Sequence, residues 1–185
     1  MMKNIALVAI CLPLILTACQ KHSAHAGGTE VRSGVLHEAM KDVVAPQAQI
    51  LWDVSNRGMN DEGAPDGSRL TDEDWAKIIA AGASLEAKAT ELAETKKIVV
   101  ARPGETIQDQ ENPGASTPQQ VQAFIDKDPE SFSAMAQALA QSGKEFSEAA
   151  KQRDAVKLAA LSGALDQVCE DCHLRYWYPQ QATPQ

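Results

Sequence analysis

The sequence predicts an all-α protein, an up-and-down four-helix bundle. Four long segments place apolar residues at spacings of three and four, the pattern of a helix with one buried face. Only one short β-branched run occurs, residues 98–100, so strands are not indicated. Small residues are frequent on the predicted helix faces and allow close packing. Four amphipathic helices joined by short to moderate links favour a bundle around one core.

The N-terminus has the pattern of an export signal. Lys3 precedes an apolar stretch, residues 5–16, that is too short to span a bilayer comfortably. The stretch is followed by Thr-Ala-Cys, and together they resemble the lipobox of bacterial lipoproteins, in which Cys19 would become the lipid-bearing first residue. Residues 1–18 are therefore predicted to be a lipoprotein signal peptide. Cleavage after Ala26, at an A-x-A-like site, is the alternative.

A lipid on Cys19 would anchor the protein stably in a membrane. The polar, Gly-containing residues 19–30 are predicted to form a flexible tether to the domain. The predicted location is the periplasmic face of the bacterial cell envelope. Gln20, which follows the cysteine, favours the outer membrane by resemblance to lipoprotein sorting. A soluble periplasmic protein is the alternative.

The first two helices have clear patterns. The first is predicted to begin near Val31, and Pro46 should kink or break it near Ala45. A turn-rich loop follows at residues 56–70. The second helix starts after Thr71, a capping residue followed by three acidic residues, and is predicted to run to about Val100.

The rest of the chain is predicted to be helical after a long loop. Residues 102–118 are rich in Pro and Gly, and their role is left open. A short helix is predicted for residues 118–125. The third long helix should begin at Pro129 after an Asp128 cap, and the fourth near Asp154. Residues 179–185 are a polar tail, so the predicted domain is residues 31–178.

Residues 169–173, Cys-Glu-Asp-Cys-His, form the C-x-x-C-H pattern by which haem c is attached. Two thiols about one helical turn apart suit addition to the two vinyl groups of one haem. His173 then supplies the proximal imidazole ligand of the iron. The alternatives are a zinc pair and a redox dithiol. Zinc needs further ligands at matching spacing, and a thioredoxin-like dithiol needs a βαβ setting; the mature sequence indicates neither.

The cysteine count agrees with this interpretation. Cys11 leaves with the signal peptide, Cys19 takes lipid, and Cys169 and Cys172 take one covalent haem. No thiol is left for a structural disulfide. Haem c is attached after export, so the signal peptide and the motif are mutually consistent.

The arrangement resembles the class II c-type cytochromes, the cytochrome c′ and cytochrome c-556 family. The resemblance rests on four helices with C-x-x-C-H close to the C-terminus, and on Tyr176 three residues after His173. The family usually has Arg directly after that aromatic residue, and Trp177 stands there instead. The resemblance implies a single-haem protein that is not an enzyme, with homodimers formed through the first two helices in many relatives.

The family also implies where the second iron ligand lies. In c-556 types a Met-Lys pair on the first helix covers the distal side and the iron is six-coordinate; in cytochromes c′ an apolar residue leaves the iron five-coordinate and able to bind gases. Met40-Lys41 matches the first pattern, so Met40 is the candidate distal ligand, with core filling as the alternative. His37 is the rival ligand, followed by Met59 and Met135.

Composition and motif together predict the function. The 185-residue chain has 17 Lys and Arg, 25 Asp and Glu, a formal net charge of −8 and 4% aromatic residues. Such a chain is not expected to bind nucleic acid, and it favours redox partner proteins with basic docking surfaces. Single-electron transfer is the expected function. The alternative is a five-coordinate haem protein that binds or senses NO or CO. Peroxidase-like catalysis would need a distal acid–base group, for which His37 is the only candidate.

Overall fold

The computed structural model describes residues 35–179, which are all-α. The predicted signal peptide, Cys19, the tether and residues 180–185 lie outside this range. The described part contains five helices and no strand, only two isolated β-bridges. The first helix, α1, has three consecutive parts: the α-helical turn Leu36–Ala39, the π-helical turn Met40–Val44 and the α-helix Ala45–Arg57. The others are α2 (Asp72–Glu94), α3 (Pro118–Lys127), α4 (Pro129–Lys151) and α5 (Ala155–Tyr176).

The predicted starts of α2, α4 and α5 are confirmed by side-chain caps, whereas α1 begins at Leu36, after an extended Val35, and not near Val31. The hydroxyl of Thr71 accepts from the amide of Asp74, whose carboxylate accepts from the amide of Thr71, which makes a capping box at the start of α2. Asp128 caps α4 and Asp154 caps α5, each by accepting a backbone N–H three residues later. The short helix α3 is also confirmed, and the capping box of Thr117 begins it.

Two groups of buried side chains hold the helices together. The large core takes residues from all four long helices and the small core lies among the ends of the helices, α3 and residues 98–100. The large core is Val44, Ala48, Leu51, Val54, Leu70, Trp75, Ile78, Ala81, Leu85, Ala89, Leu139, Phe146, Ala149, Ala150, Leu158, Leu161 and Leu165. The small core is Leu36, Ala39, Leu92, Ile98, Val100, Val121, Ile125, Phe132, Ala136 and Tyr176.

Helices α2 and α4 pass each other at backbone contact. A Cβ atom at Gly82 would lie 2.5 Å from the carbonyl oxygen of Gly143 and 2.6 Å from Oγ of Ser147. The hydroxyl of Ser147 donates to the carbonyl of Ile79 across the same crossing, at 3.1 Å. Glycine is needed at this crossing because any side chain would separate the two helices.

The second helix is shorter than predicted. It ends at Glu94, and residues 98–100 are extended rather than helical. The amide of Leu36 donates to the carbonyl of Val99 at 2.8 Å, and that of His37 donates to Val100 at 2.9 Å. The first amides of a helix lack partners within it, so α1 takes its acceptors from this β-branched segment. The prediction that α2 reaches Val100 is therefore wrong.

Pro46 does not break α1; a π-helical turn, a departure from α geometry that commonly accompanies a kink, lies directly before Ala45, where a kink or break was predicted. The amide of Ala45 donates to the carbonyl of Met40, five residues back. A π turn holds more residues than an α turn, so residues four apart stay in line through it. Met40 thereby keeps its side chain against the cores between buried Leu36 and Val44, although it is only half-buried itself.

Candidate functional site

The C-x-x-C-H motif lies in the last two turns of α5, as the sequence predicts. Cys169 and Cys172 are three residues apart on this helix, half-buried, and both are free thiols. Cys169 packs against the large core, whereas Cys172 packs against the small core. The two cysteines of the motif therefore contact different cores.

Burial keeps both thiols protonated. Desolvation raises the pKa of Cys169 to about 11, with a further contribution from the nearby Asp166 carboxylate. It also raises the pKa of Cys172 to about 11, which Arg175 opposes only in part. Redox dithiols and zinc ligands work as thiolates, and their surroundings lower the thiol pKa. This environment favours a neutral sulfur instead, which a thioether provides.

His173 follows the second thiol and is partly shielded from solvent. Burial lowers the pKa of its imidazole, which favours the neutral form that binds metals. Its ring meets the indole of Trp177 edge to face, with 5.0 Å between centroids and 85° between planes. Its carbonyl accepts the amides of Trp177 and Tyr178 at 2.7 and 2.8 Å, which ends α5.

The loop of residues 102–118 closes over this end of α5. The indole N–H of Trp177 donates to the carbonyl of Gln108 at 3.1 Å, and the amide of Ser116 donates to the carbonyl of Trp177 at 2.7 Å. Tyr178 stacks on Trp177 at 4.8 Å between centroids, and its hydroxyl lies 3.5 Å from the Asp109 carboxylate. The loop that the sequence left without a role is fastened to the residues after the motif.

Met40 is at the junction of the two cores. It packs against the large core, which Cys169 also contacts, and against the small core, which Cys172 also contacts. In the described part of the chain it is the one partly buried apolar residue assigned to both clusters. Met40 therefore shares one core with each thiol, although the methionine and the cysteines come from opposite ends of the sequence.

The rival ligands lie in different places. Met135, on α4, packs against the small core and so shares a cluster with Cys172. Met59 lies in the turn after α1 and pairs with Pro65. His37 is fixed by its backbone to Val100 and is half-buried. Packing therefore ranks Met135 above Met59, an order that the sequence analysis left open.

Sequence reasoning missed the environment of Tyr176. Its ring is 5% exposed and packs edge to face on Phe132, with 5.9 Å between centroids. Its hydroxyl oxygen is buried, and burial raises the pKa of this phenol, which a hydrogen bond with the Arg175 guanidinium opposes in part. Arg175 lies over the ring at 5.7 Å and also binds Asp128, the cap of α4, at 2.8 Å.

Two general findings complete the description. Within residues 35–179, no three His, Cys, Asp or Glu side chains are grouped so that they would hold a metal ion by themselves. In the same range no helix is both long enough and apolar enough to cross a membrane. Comparisons with protein-family models, with curated proteins and with solved structures gave no match.

Proposed function

We propose that this protein is a single-haem c-type cytochrome that carries electrons one at a time. Cys169 and Cys172 would hold haem c by two thioethers, and His173 would be the proximal iron ligand. The observation that carries the proposal is that Met40 packs against the core that Cys169 contacts and also against the core that Cys172 contacts. The up-and-down four-helix bundle that the sequence predicts is part of the same proposal.

The residues present fit a covalent haem. Both thiols are half-buried among apolar side chains and are held neutral, which suits thioethers. The imidazole is held neutral, which suits an iron ligand. Tyr176, one turn after Cys172, is buried and packs edge to face on Phe132 in the small core that Cys172 also contacts. When bound, haem c supplies an iron that exchanges single electrons at a potential set by its ligands and their surroundings.

Met40 favours electron transfer over gas binding. A thioether side chain at the junction of the cores would fill the distal side and exclude other ligands from it. Met ligation raises the reduction potential of a c-type haem. Packed side chains on each side also limit the rearrangement that accompanies electron transfer. If Met40 only fills space, the protein is the five-coordinate type that binds NO or CO.

The surface near the motif suits a basic redox partner. Asp166, Glu170 and Asp171 are exposed on the motif-bearing half of α5, whereas Arg175 is occupied by Asp128. With a net charge of −8 for the chain, a partner with a basic docking surface would be attracted to this end. The proposed lipid anchor at Cys19 would keep such encounters at the periplasmic side of a bacterial membrane.

Spectroscopy of the protein produced with its export signal, in a bacterial host that attaches haem c, tests the proposal. We expect a mass increase of one haem, a low-spin ferric spectrum with the near-infrared Met–iron band, and no CO binding on reduction. Met40→Ala should give a high-spin ferric form that binds CO. Met135→Leu, which alters a methionine against the small core only, is the matched control and should leave the spectrum unchanged.

Each contrary outcome has its own meaning. A purified protein without covalent haem would refute the cytochrome proposal altogether. A high-spin, CO-binding unsubstituted protein would support the gas-binding alternative. A Met40→Ala protein with an unaltered spectrum would exclude Met40 as ligand, and loss of the near-infrared band in Met135→Leu would assign the ligand to Met135.

A further inference from the structure

We infer that Trp177 is a positioning residue for His173, and that the 102–118 loop acts on the site through Trp177. The inference rests on the proposed function, because it concerns the imidazole that would hold the iron. It gives a role to the residue at which the chain departs from the related cytochromes, and to the loop that the sequence analysis left without one.

The first step is the contact between the two rings. Trp177 lies four residues after His173, and the rings meet at 5.0 Å and 85°. Residues four apart are neighbours on a helix, so the indole lies beside the imidazole. This contact limits the orientations of the imidazole and keeps water from one side of it.

The second step is the attachment of Trp177 to the loop. Its indole N–H donates to Gln108 at 3.1 Å, and its carbonyl accepts from Ser116 at 2.7 Å. Ser116 is 3% exposed, so the second hydrogen bond is shielded from water. A side chain held through both its ring and its backbone has little freedom to turn away from His173.

The third step is the order within the loop itself. The amide of Ile107 donates to the side chain of Gln110 at 3.0 Å, and the amide of Asn112 donates to the carbonyl of Asp109 at 2.8 Å. Asp109 has a positive φ of 58°, a conformation that Asp tolerates in turns. These turns present the Gln108 carbonyl to the indole.

The consequence concerns the redox property of the site. Groups around a ligating histidine fix its orientation, and the apolar shell controls solvent access and hence potential. Removing the indole should admit water beside His173 and favour the more highly charged ferric state. We expect a ferric-to-ferrous ratio about tenfold higher at a fixed potential, which is a fall of about 59 mV for one electron.

Two substitutions at Trp177 separate the effect of the ring beside His173 from the effect of the hydrogen bond to the loop. Trp177→Phe keeps a ring beside His173 but removes the N–H donor, whereas Trp177→Ala removes both. Trp52→Phe is the matched control, because Trp52 also donates its indole N–H to a backbone carbonyl, that of Ser162, at 3.3 Å. The readouts in the haem-loaded proteins are the reduction potential and the ferric EPR spectrum. Hydrogen exchange of the Ser116 amide reports on the loop and does not depend on haem.

The expected results differ between the variants. Trp177→Phe should speed exchange at Ser116 about tenfold, the effect of one lost hydrogen bond, with a small shift in potential. Trp177→Ala should show the same roughly tenfold faster exchange at Ser116, the full fall of about 59 mV in reduction potential and an altered EPR spectrum. Trp52→Phe should change none of these. If Trp177→Ala does not fold, Trp177→Leu replaces it.

Failure of the inference is distinguishable from failure of the proposed function. Absence of haem from the unsubstituted protein refutes the proposed function, and with it this role of Trp177. A haem-loaded Trp177→Ala protein with unchanged potential and EPR spectrum refutes the inference alone. Unchanged exchange at Ser116 in Trp177→Phe refutes the part assigned to the loop.

Discussion

The close contact between α2 and α4 at Gly82 allows a quantitative prediction that does not depend on any cofactor. In Gly82→Ala, the new Cβ would lie 2.5 Å from the carbonyl oxygen of Gly143. An ordinary close C···O contact is about 3.3 Å, so the helices must separate by roughly 0.8 Å. Both atoms belong to packed helices and neither is at the end of a flexible side chain, so the strain is not relieved locally.

The size of the effect follows from two opposing terms. Overpacking a core typically costs about 1–3 kcal/mol, and backbone contact places Gly82 at the upper end. Alanine gains about 1 kcal/mol over glycine in a helix interior. The net expectation for Gly82→Ala is a loss of about 2 kcal/mol in the free energy of unfolding. For a domain of this size that corresponds to roughly 6 °C in melting temperature.

Gly163→Ala is the matched control for this prediction. Gly163 is also inside a long helix, α5, but nothing lies within 4 Å of a Cβ placed there. Only the propensity term applies, so this variant should be more stable by about 1 kcal/mol. Urea denaturation followed by circular dichroism at 222 nm measures both. If Gly82→Ala is as stable as the unsubstituted protein, the helices do not cross at this distance and the reasoning fails.

Three further predictions concern the cap of α2, the π-helical turn and the thiols. Hydrogen bonds from Arg57 and then Thr71 lower the pKa of Asp74 from 3.8 to about 2. The stabilisation by this carboxylate is therefore complete above pH 3.8 and lost as the pH falls through 2. Asp74→Asn should have a free energy of unfolding about 1 kcal/mol lower than the unsubstituted protein at pH 7. The two proteins should be equally stable near pH 2, as measured by urea denaturation. Pro46→Ala should let the π-helical turn relax and weaken the near-infrared Met–iron band. An unchanged band would show that iron ligation does not depend on Pro46. Cys169→Ser/Cys172→Ser should lose the haem on a denaturing gel, and retention there would contradict thioether attachment.

The helix starts were predictable because their signals are local. Thr71 and Asp74 form their capping box within four residues, and Asp128 precedes Pro129 at the first turn of α4. The position of the motif on the last helix followed in the same way, from a leucine stripe that continues into Cys172. Hydrogen bonds and packing within one or two turns determine these features, so the sequence order is sufficient to predict them.

The end of α2 and the course of α1 were not predictable from local signals alone. The β-branched run at 98–100 was too short to indicate a strand, and its extended course depends on the amides at the start of α1 from which it accepts hydrogen bonds. At Pro46 the sequence indicated a kink or break but not its form, a π-helical turn within a continuous helix. The partner of residues 98–100 lies far along the chain, which periodicity does not reveal.

The attachment of Trp177 was the least predictable part of the candidate site. Its indole and the Gln108 carbonyl are 69 residues apart, and the acceptor is a backbone atom that any residue would offer. No residue type at position 108 signals this bond. The only sequence signal was that Trp177 stands where the cytochromes that the sequence resembles usually have Arg, which marks the position as unusual without naming its contact.

The π-helical turn connects the shape of α1 to the choice between the two proposed functions. In an ordinary α-helix each step of four residues adds about 40° of rotation, so Leu36 and Val44 would lie about 80° apart around the axis. The π turn removes that rotation, and π turns occur frequently at functional sites. Pro46 favours such a turn because it has no N–H to donate in the α pattern. If Met40 binds iron, the closed distal side is therefore determined by the backbone of α1 as well as by the methionine, and restoring an α turn should open it without changing any ligand.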